Sequence, residues 1–430
     1  MHHSADEELT RADPRLPGLG VLLSSRSVLD LLDSLLPTGV ERPRRVEVER
    51  GRYLRGTGLA ATLTLHYADG PRHAFARALP PDAAGTAEEV RYARQWTGRP
   101  DGRTVDLGAL EEPRLRGPLC AADLGLVLGP PVDDRALPSV RRFAAVPQRF
   151  VDTADASAHT LSYLAGHRWV GRIDDAAGHP RLVVHARSGG VNAASHLAPA
   201  VAGLPVPDLV RVSRYGLLVT RWLPGEPLDR LAARDGAAGR AALAETGRLL
   251  ARLHSVPPPR ELPPADPAPR VARAAEEVAA LLPGLAGRVR AAARECAAAL
   301  DDVSDAPRAL VHGGLHAGRV LVGDGGPALT CLEEAHVAHP ATDLADLAAA
   351  EYARRPAGGA PPSVPEALLD GYLDGLGSPA AAERTRRGLG AHSAAALLRR
   401  ATVPFRLGAA DWDARVTDLV AAAETALAAR

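Results

Sequence analysis

The sequence predicts an α+β chain in which a mixed, β-rich lobe precedes a helical lobe, with an extra α/β lobe ahead of both. Three observations carry this expectation. Residues 61–67 and 73–77 alternate apolar and polar side chains around Ala68-Asp69-Gly70, the period of a half-buried hairpin. Residues 168–173 and 181–186 repeat that shape around the polar stretch Asp174 to Pro180. From Gly239 onward apolar residues fall at helical spacing, with Leu249, Leu250 and Leu253 on one face. The boundaries follow as residues 1–150 for the accessory lobe, 151–224 for the β-rich lobe and 225–430 for the helical lobe. A chain of 430 residues is long enough for two or three such bodies.

The elements are read in order. Val21 to Leu36 is apolar-periodic and reads as one helix that stops at Pro37. Val46 to Ala78 is strand-like. Tyr53-Leu54-Arg55-Gly56 recurs as Tyr163-Leu164-Ala165-Gly166, each string leading into a strand, a polar turn and another strand. The recurrence reads either as a degenerate duplicate of the β-rich lobe in residues 1–150 or as two hairpins sharing a short string by chance. Leu126 to Val140, with Gly129-Pro130-Pro131, reads as a loop and then a short helix. Val191 to Ala202 is helical, Leu217 to Trp222 a strand, and Leu223 to Leu228 a turn joining the lobes. Gly239 to His254 is a helix, and Pro-rich Ser255 to Arg270 an exposed loop. Val271 to Leu300 is helical with a break near Pro283-Gly284, and short strands follow around Arg319 to Leu332. Two or three further helices run to Arg430, with a Pro/Gly loop at Arg355 to Pro365.

Composition limits the function. The 51 acidic and 51 basic residues balance, which gives no argument for nucleic acid or an anionic membrane as partner. No apolar run approaches the roughly 20 residues of a membrane span. Met1 to Thr10 is polar and acidic, without the pattern of a signal peptide. Cys120, Cys296 and Cys331 are scattered, as suits reduced thiols in the cytoplasm. The chain has no lysine, and Asn192 is its only asparagine. Coding bias in a GC-rich genome accounts for missing Lys or Asn. It does not account for a missing Asp, because acidic residues are plentiful.

One stretch stands apart from the core-forming sequence: His312-Gly313-Gly314-Leu315-His316-Ala317-Gly318-Arg319. It resembles the catalytic loop of the aminoglycoside phosphotransferase and choline-kinase-like family, which reads His-Gly-Asp-Leu-His-Pro-Gly-Asn. Three more stretches resemble the family in the right order. They are the linker Val219 to Leu228, the helix end Leu249-Leu250-Ala251-Arg252-Leu253-His254, and His339-Pro340-Ala341-Thr342-Asp343-Leu344-Ala345. The resemblance covers most of residues 155–430 and implies a protein-kinase-like fold.

The resemblance also implies phosphoryl transfer, which needs a Lys on the phosphates, metal ions and a carboxylate that orients the nucleophile. This sequence departs from each requirement. Gly314 stands where the carboxylate belongs, and Arg319 where Asn would help hold a metal. Cys331, twelve residues before Asp343, stands where the second metal-binding Asp belongs, and a thiol is a poor ligand for Mg²⁺. His185, after the strand Leu182 to Val184, replaces the Lys, and Arg187 on the same strand face is a candidate phosphate ligand. Glu333 or Glu334 reaches the metal position only if the register slips, and strand alternation puts one of them on the Cys331 face.

Gly314 reads either as a loop opened for a ligand or as relaxed selection on a silent site. His312 and His316 belong to the loop pattern, His312 as a packing and hydrogen-bonding residue. Asp343 reads as a buried residue that organises the loop. Cys331, His336 and His339 offer zinc chemistry, but their spacing matches no closed motif, and no metal is expected.

The expected protein is therefore a catalytically impaired pseudokinase in a bacterial small-molecule or peptide modification pathway. It would bind a small molecule or a protein or peptide partner between its lobes, through His185, Arg187, Trp222, His312, His316, Arg319, Glu333 and Glu334. Arg319 would meet an anionic group where a metal would otherwise lie. The alternative is an active phosphotransferase on a small hydroxylated substrate, and ATP with Mg²⁺ enters only there. Adenylyl transfer on the same fold ranks behind both.

Overall fold

The computed structural model describes residues 4–81, 119–151, 155–234, 236–262, 264–305 and 308–429, together with residues 88, 91, 105, 106 and 115. The chain divides into two compact units. The first takes the residues up to Val191, with Leu209–Trp222 and Arg406–Ala410; the second takes Asn192–Asp208, Leu223–Phe405 and Asp411–Arg430.

The first unit opens with α1 (Ser4–Ala12), α2 (Leu19–Leu22) and α3 (Ser25–Leu35). The single helix expected over Val21 to Leu36 is thus two. Ser24 leaves the helical region, and its Oγ accepts a hydrogen bond from the Ser27 amide at 3.2 Å, capping α3. The strands are β1 (Arg45–Leu54), β2 (Gly58–Tyr67), β3 (Gly70–Ala78), β4 (Val105–Asp106), β5 (Leu119–Ala121), β6 (Leu126–Gly129), β7 (Ala156–Leu164), β8 (Arg168–Asp174), β9 (Pro180–Arg187), β10 (Leu209–Ser213) and β11 (Leu217–Arg221). Residues 126–129, expected in a loop, form β6 because all four are buried and pair with β3. The short helix expected after them is α4 (Pro138–Ala145).

One sheet has the order β1-β2-β3-β6-β5, and the other β7-β8-β9-β11-β10 with β4 added on the β7 edge. With the β4 edge strand left aside, the order within each sheet is the same: first, second, third, fifth, fourth. The two Tyr-Leu-x-Gly strings also do the same work. Tyr53 Oη and the Gly56 amide both donate to Asp13 Oδ2, at 2.8 and 2.7 Å. Tyr163 Oη and the Gly166 amide donate to Asp134 Oδ2 at the same 2.8 and 2.7 Å. Each aspartate begins an Asp-x-x-Leu-Pro string, at Asp13 and at Asp134. Gly56 and Gly166 have φ of +65° and +74°, a conformation their hairpins require and side-chain-bearing residues rarely adopt.

The registers match as well. Ala78 lies opposite Leu59 and Ala186 opposite Trp169, so Arg77 in β3 holds the place that His185 holds in β9. Arg77 pairs with Asp134 Oδ1 at 2.5 Å, leaving that fully buried carboxylate bonded through both oxygens. The core of this unit gathers Phe75, Phe143, Trp169, Ile173, Val184 and Val219. Phe143 meets Trp169 at 5.8 Å between ring centroids.

The second unit carries α5 (Ala194–Val201), α6 (Leu228–Ala233), α7 (Ala237–His254), α8 (Pro267–Leu281), α9 (Ala286–Asp301), α10 (Ala341–Tyr352), α11 (Glu366–Leu376), α12 (Pro379–Arg400) and α13 (Trp412–Ala428). The expected break near Pro283 separates α8 from α9. The loop expected to reach Arg270 ends earlier, because Asp266 Oδ1 accepts from the Ala268 amide at 2.9 Å and starts α8 at Pro267. Past Asp343 the described residues hold more helix than two or three elements, since α10, α11, α12 and α13 all form. Arg430, where those helices were expected to end, lies outside the described residues.

Helices α7 and α11 approach until their backbones touch: a Cβ on Gly247 would lie 2.1 Å from the Leu368 carbonyl oxygen. Short strands complete the unit. β12 (Glu226–Pro227), β14 (Val320–Gly323) and β15 (Gly326–Leu329) form one sheet, and β13 (Ala309–Val311) pairs with β16 (His336–Ala338). Among the described residues no helix is long and apolar enough to cross a membrane.

Candidate functional site

The loop that begins at His312 leaves β13 and is tied to two distant helices through one carboxylate. Asp343, in the first turn of α10, is fully buried. Its Oδ2 accepts from the His312 amide at 2.7 Å and its Oδ1 from the Gly313 amide at 2.9 Å. His254, the last residue of α7, lies 3.1 Å from Asp343 Oδ2 through Nε2 and 2.9 Å from Tyr372 Oη through Nδ1. Nε2–H therefore donates to the carboxylate, and Nδ1 shares a hydrogen bond with the tyrosine hydroxyl. Burial alone would raise the Asp343 carboxyl, but the hydrogen bond and charge of His254, with the His312 amide, hold it below the usual carboxylate range. The loop thus has a fixed start.

Gly313 follows with φ of +78°, and a Cβ there would lie 2.2 Å from the Glu334 carbonyl oxygen. Only glycine fits. His312 is buried, and its Nε2–H donates to the Thr330 carbonyl at 2.8 Å, while Nδ1 has no hydrogen-bond partner among the described residues. Burial, and behind it the Arg319 charge, lower its pKa against the pull of Asp343. His316 is pushed down to about 2, first by burial and then by Arg319, Arg354 and Arg400. The His316 imidazole is therefore neutral at physiological pH.

At Gly314 the amide and carbonyl remain and the side chain is gone. Arg319 occupies the space. It is 8% exposed, its Nη1 donates to the Gly314 carbonyl at 2.9 Å, and a Cβ on Gly314 would stand 2.7 Å from that same Nη1. The carboxylate of Glu334 closes the other side, with Oε2 2.9 Å from the same point and Oε1 4.0 Å from Arg319 Nη2. A cation now stands where the resemblance implied an acid. Such a group can hold an anion; it cannot take up a proton.

Cys331 has φ of +59°, and it and Asp155 are the non-glycine residues of positive φ among those described. Asp and Asn enter that left-handed region several times more readily than other residues. The backbone at 331 therefore keeps a shape that suits a carboxylate or amide side chain, although a thiol now hangs from it. Leu332–Glu334 forms a turn of 3-10 helix. The expected strand alternation of Glu333 and Glu334 therefore does not hold: Glu334 approaches Arg319, and a Glu333 carboxylate oxygen lies within 4.8 Å of the Cys331 Sγ. The groups at 314, 319 and 331 do not fit a magnesium ion, since none offers the hard oxygen donor it requires. Cys331, His336 and His339 do not converge as metal ligands among the described residues.

The remaining candidates lie in the first unit. His185 stands inside β9, 6% exposed, rather than after the strand as expected, because β9 extends to Arg187. Arg187 pairs in register with Arg168, and the Trp222 amide donates to the Arg181 carbonyl at 2.8 Å. The sequence reasoning missed the bonds that join His254 to Asp343 and Arg319 to Gly314. The first had a signal, the Leu-x-x-Leu-His string; the second had none, since a side chain returning five residues along a loop leaves no periodicity.

Residues 153–390 match the sequence profile of the phosphotransferase enzyme family. No curated protein matches the chain in sequence. Among solved structures, a choline/ethanolamine kinase family protein from Mesorhizobium loti aligns over 66% of this chain and 92% of its own, at 19% identity and a TM-score of 0.47. Plasmodium vivax ethanolamine kinase aligns over 68% of this chain and 89% of its own, at 10% identity and 0.47. The ADP-bound aminoglycoside phosphotransferase APH(2'')-Ib aligns over 65% of this chain and 96% of its own, at 11% identity and 0.41.

Proposed function

Since this chain belongs to the phosphotransferase enzyme family and has its protein-kinase-like α+β fold, we propose that it is a member without phosphoryl transfer, retained as a ligand- or partner-binding module. One observation carries the reading: the Arg319 guanidinium fills the volume a side chain at Gly314 would need, 2.7 Å from its Cβ. Phosphoryl transfer depends on positioning and charge neutralisation around metal-bound phosphates. Here the acid is replaced by space and a cation, and the second metal position by the Cys331 thiol. Coding bias supplies no cause for either change. Balanced charge and free cysteines support a cytoplasmic protein that binds neither nucleic acid nor membrane.

The same reading takes residues 1–150 as a degenerate duplicate of the β-rich lobe at 151–224. The shared strand order and the paired clasps on Asp13 and Asp134 support it.

A single assay tests the module reading. The purified chain, given ATP and Mg²⁺ with a panel of small hydroxylated acceptors, should form no ADP above the blank. A second reading has its own observation: Glu334 Oε2 lies 2.9 Å from where a Cβ at 314 would stand, so its carboxylate could serve in place of the lost one. ADP formation by the wild type that vanishes in Glu334→Gln would establish that reading and remove the first.

A further inference from the structure

The second unit contains a cavity of about 220 Å³, lined from α8, α9, β16, α10 and α12. Part of its lining is apolar and small: Ala297, Leu300 and Ala338. The charged part is chiefly arginine, from Arg270, Arg308 and Arg399. These guanidinium groups are not equivalent. Arg399 is neutralised by Asp346 at 2.5 Å. Arg270 and Arg308 have neither a hydrogen bond nor an ion pair among the described residues.

Two carboxylates share the lining. Asp266 is committed to the α8 cap, and Asp301 is exposed at the end of α9.

Arg270 is half-buried, and burial first, then the Arg399 charge, lowers its pKa, while the charges of Glu334 and Asp346 act the other way. A partly desolvated cation without a partner is a standing cost to the fold. An anion in the cavity would offset it. The guanidinium fork matches carboxylate and phosphate oxygens in pairs.

The cavity also abuts the altered loop. His336 lines it, and its Nδ1 lies 2.5 Å from where a Cβ on Gly313 would stand. The volume is below the roughly 300–1,000 Å³ of drug-sized sites, which calls for a small occupant.

We propose that this cavity binds a small organic anion, with its carboxylate or phosphate head on Arg270 and Arg308 and a short apolar body against Ala297, Leu300 and Ala338. The assignment rests on the reading of the protein as a binding module and gives that module a ligand class.

Calorimetric titration of the full chain with butyrate, butyl phosphate and neutral butyramide tests it. The two anions distinguish a carboxylate from a phosphate source. At least one anion should bind and butyramide should not. Arg270→Gln and Arg308→Gln should each weaken binding about ten- to hundredfold, as the loss of one charge-assisted contact implies. Arg308 is exposed, so its variant carries no risk to the fold. Binding of neither anion, equal binding of butyramide, or unchanged affinity in both variants overturns the assignment. The outcomes stay separable from those of the turnover assay. A chain silent toward ATP that binds no anion loses the cavity assignment alone, and a chain that forms ADP yet binds the anion through Arg270 and Arg308 loses the module reading alone.

Discussion

His339 lies against His392 with ring centroids 4.6 Å apart, and it accepts the Ala341 amide through Nδ1. Burial first, then His254 and Arg387, lower its pKa to about 4, with only Asp305 acting the other way. Between pH 6.5 and 4 the unfolded chain binds a proton here that the folded chain refuses. Its contribution is therefore complete above pH 6.5 and lost as the pH falls toward 4, about 3 kcal/mol in all. Urea unfolding at pH 7 and pH 4.5 should show this loss, and His339→Gln should reduce it; an equal loss in both proteins would contradict the assignment. This shift was invisible in the sequence, where His339 stood as a family-motif residue or a zinc donor. Asp343 was legible, because its role follows from a string that places it at a helix start. The Arg319 bond to Gly314 was not, since it depends on how a flexible side chain refills an emptied space. The residues that hold the loop were thus easier to read than those that changed its chemistry.

Helices show the same division. The Leu249, Leu250 and Leu253 stripe identified α7 because a long buried face repeats its period over several turns. β12, β13 and β16 have two or three residues each, too few to show a period, and only pairing across the fold defines them. The contact of α7 with α11 is also hidden in sequence, since Gly247 and Gly371 look like helix-weakening residues. They permit the approach: a Cβ on Gly371 would lie 2.1 Å from the Ala244 carbonyl oxygen. Gly247→Ala should therefore destabilise by about 1–3 kcal/mol through overpacking, against the ~1 kcal/mol that alanine's helix propensity would add. Chemical denaturation measures the balance, and a more stable variant would show that the helices separate without penalty.

Across the whole molecule the departures from phosphotransfer chemistry are dispersed, at His185, Gly314, Arg319 and Cys331. Repair of the loop alone should not be enough. The double variant Gly314→Asp, Arg319→Asn is expected to form no ADP above the blank, because Cys331 still lacks a hard oxygen donor and the chain contains no lysine. Measurable turnover by that double variant would place the whole defect in one loop. The two sheets of common strand order raise a problem of assembly. During synthesis the strands of one sheet meet those of another with the same layout, and mispairing of similar segments is a characteristic failure of repeated folds. Their turns differ: β2 passes to β3 through Ala68-Asp69, while β8 passes to β9 through Asp175 to His179. Arg77, reaching from the first sheet to Asp134 at the second clasp, further distinguishes the native arrangement, since among the described residues no arginine pairs with Asp13 at the first clasp. An exchange of hairpins would separate Arg77 from the carboxylate it pairs with at 2.5 Å, so the ion pair favours the native arrangement over the exchanged one.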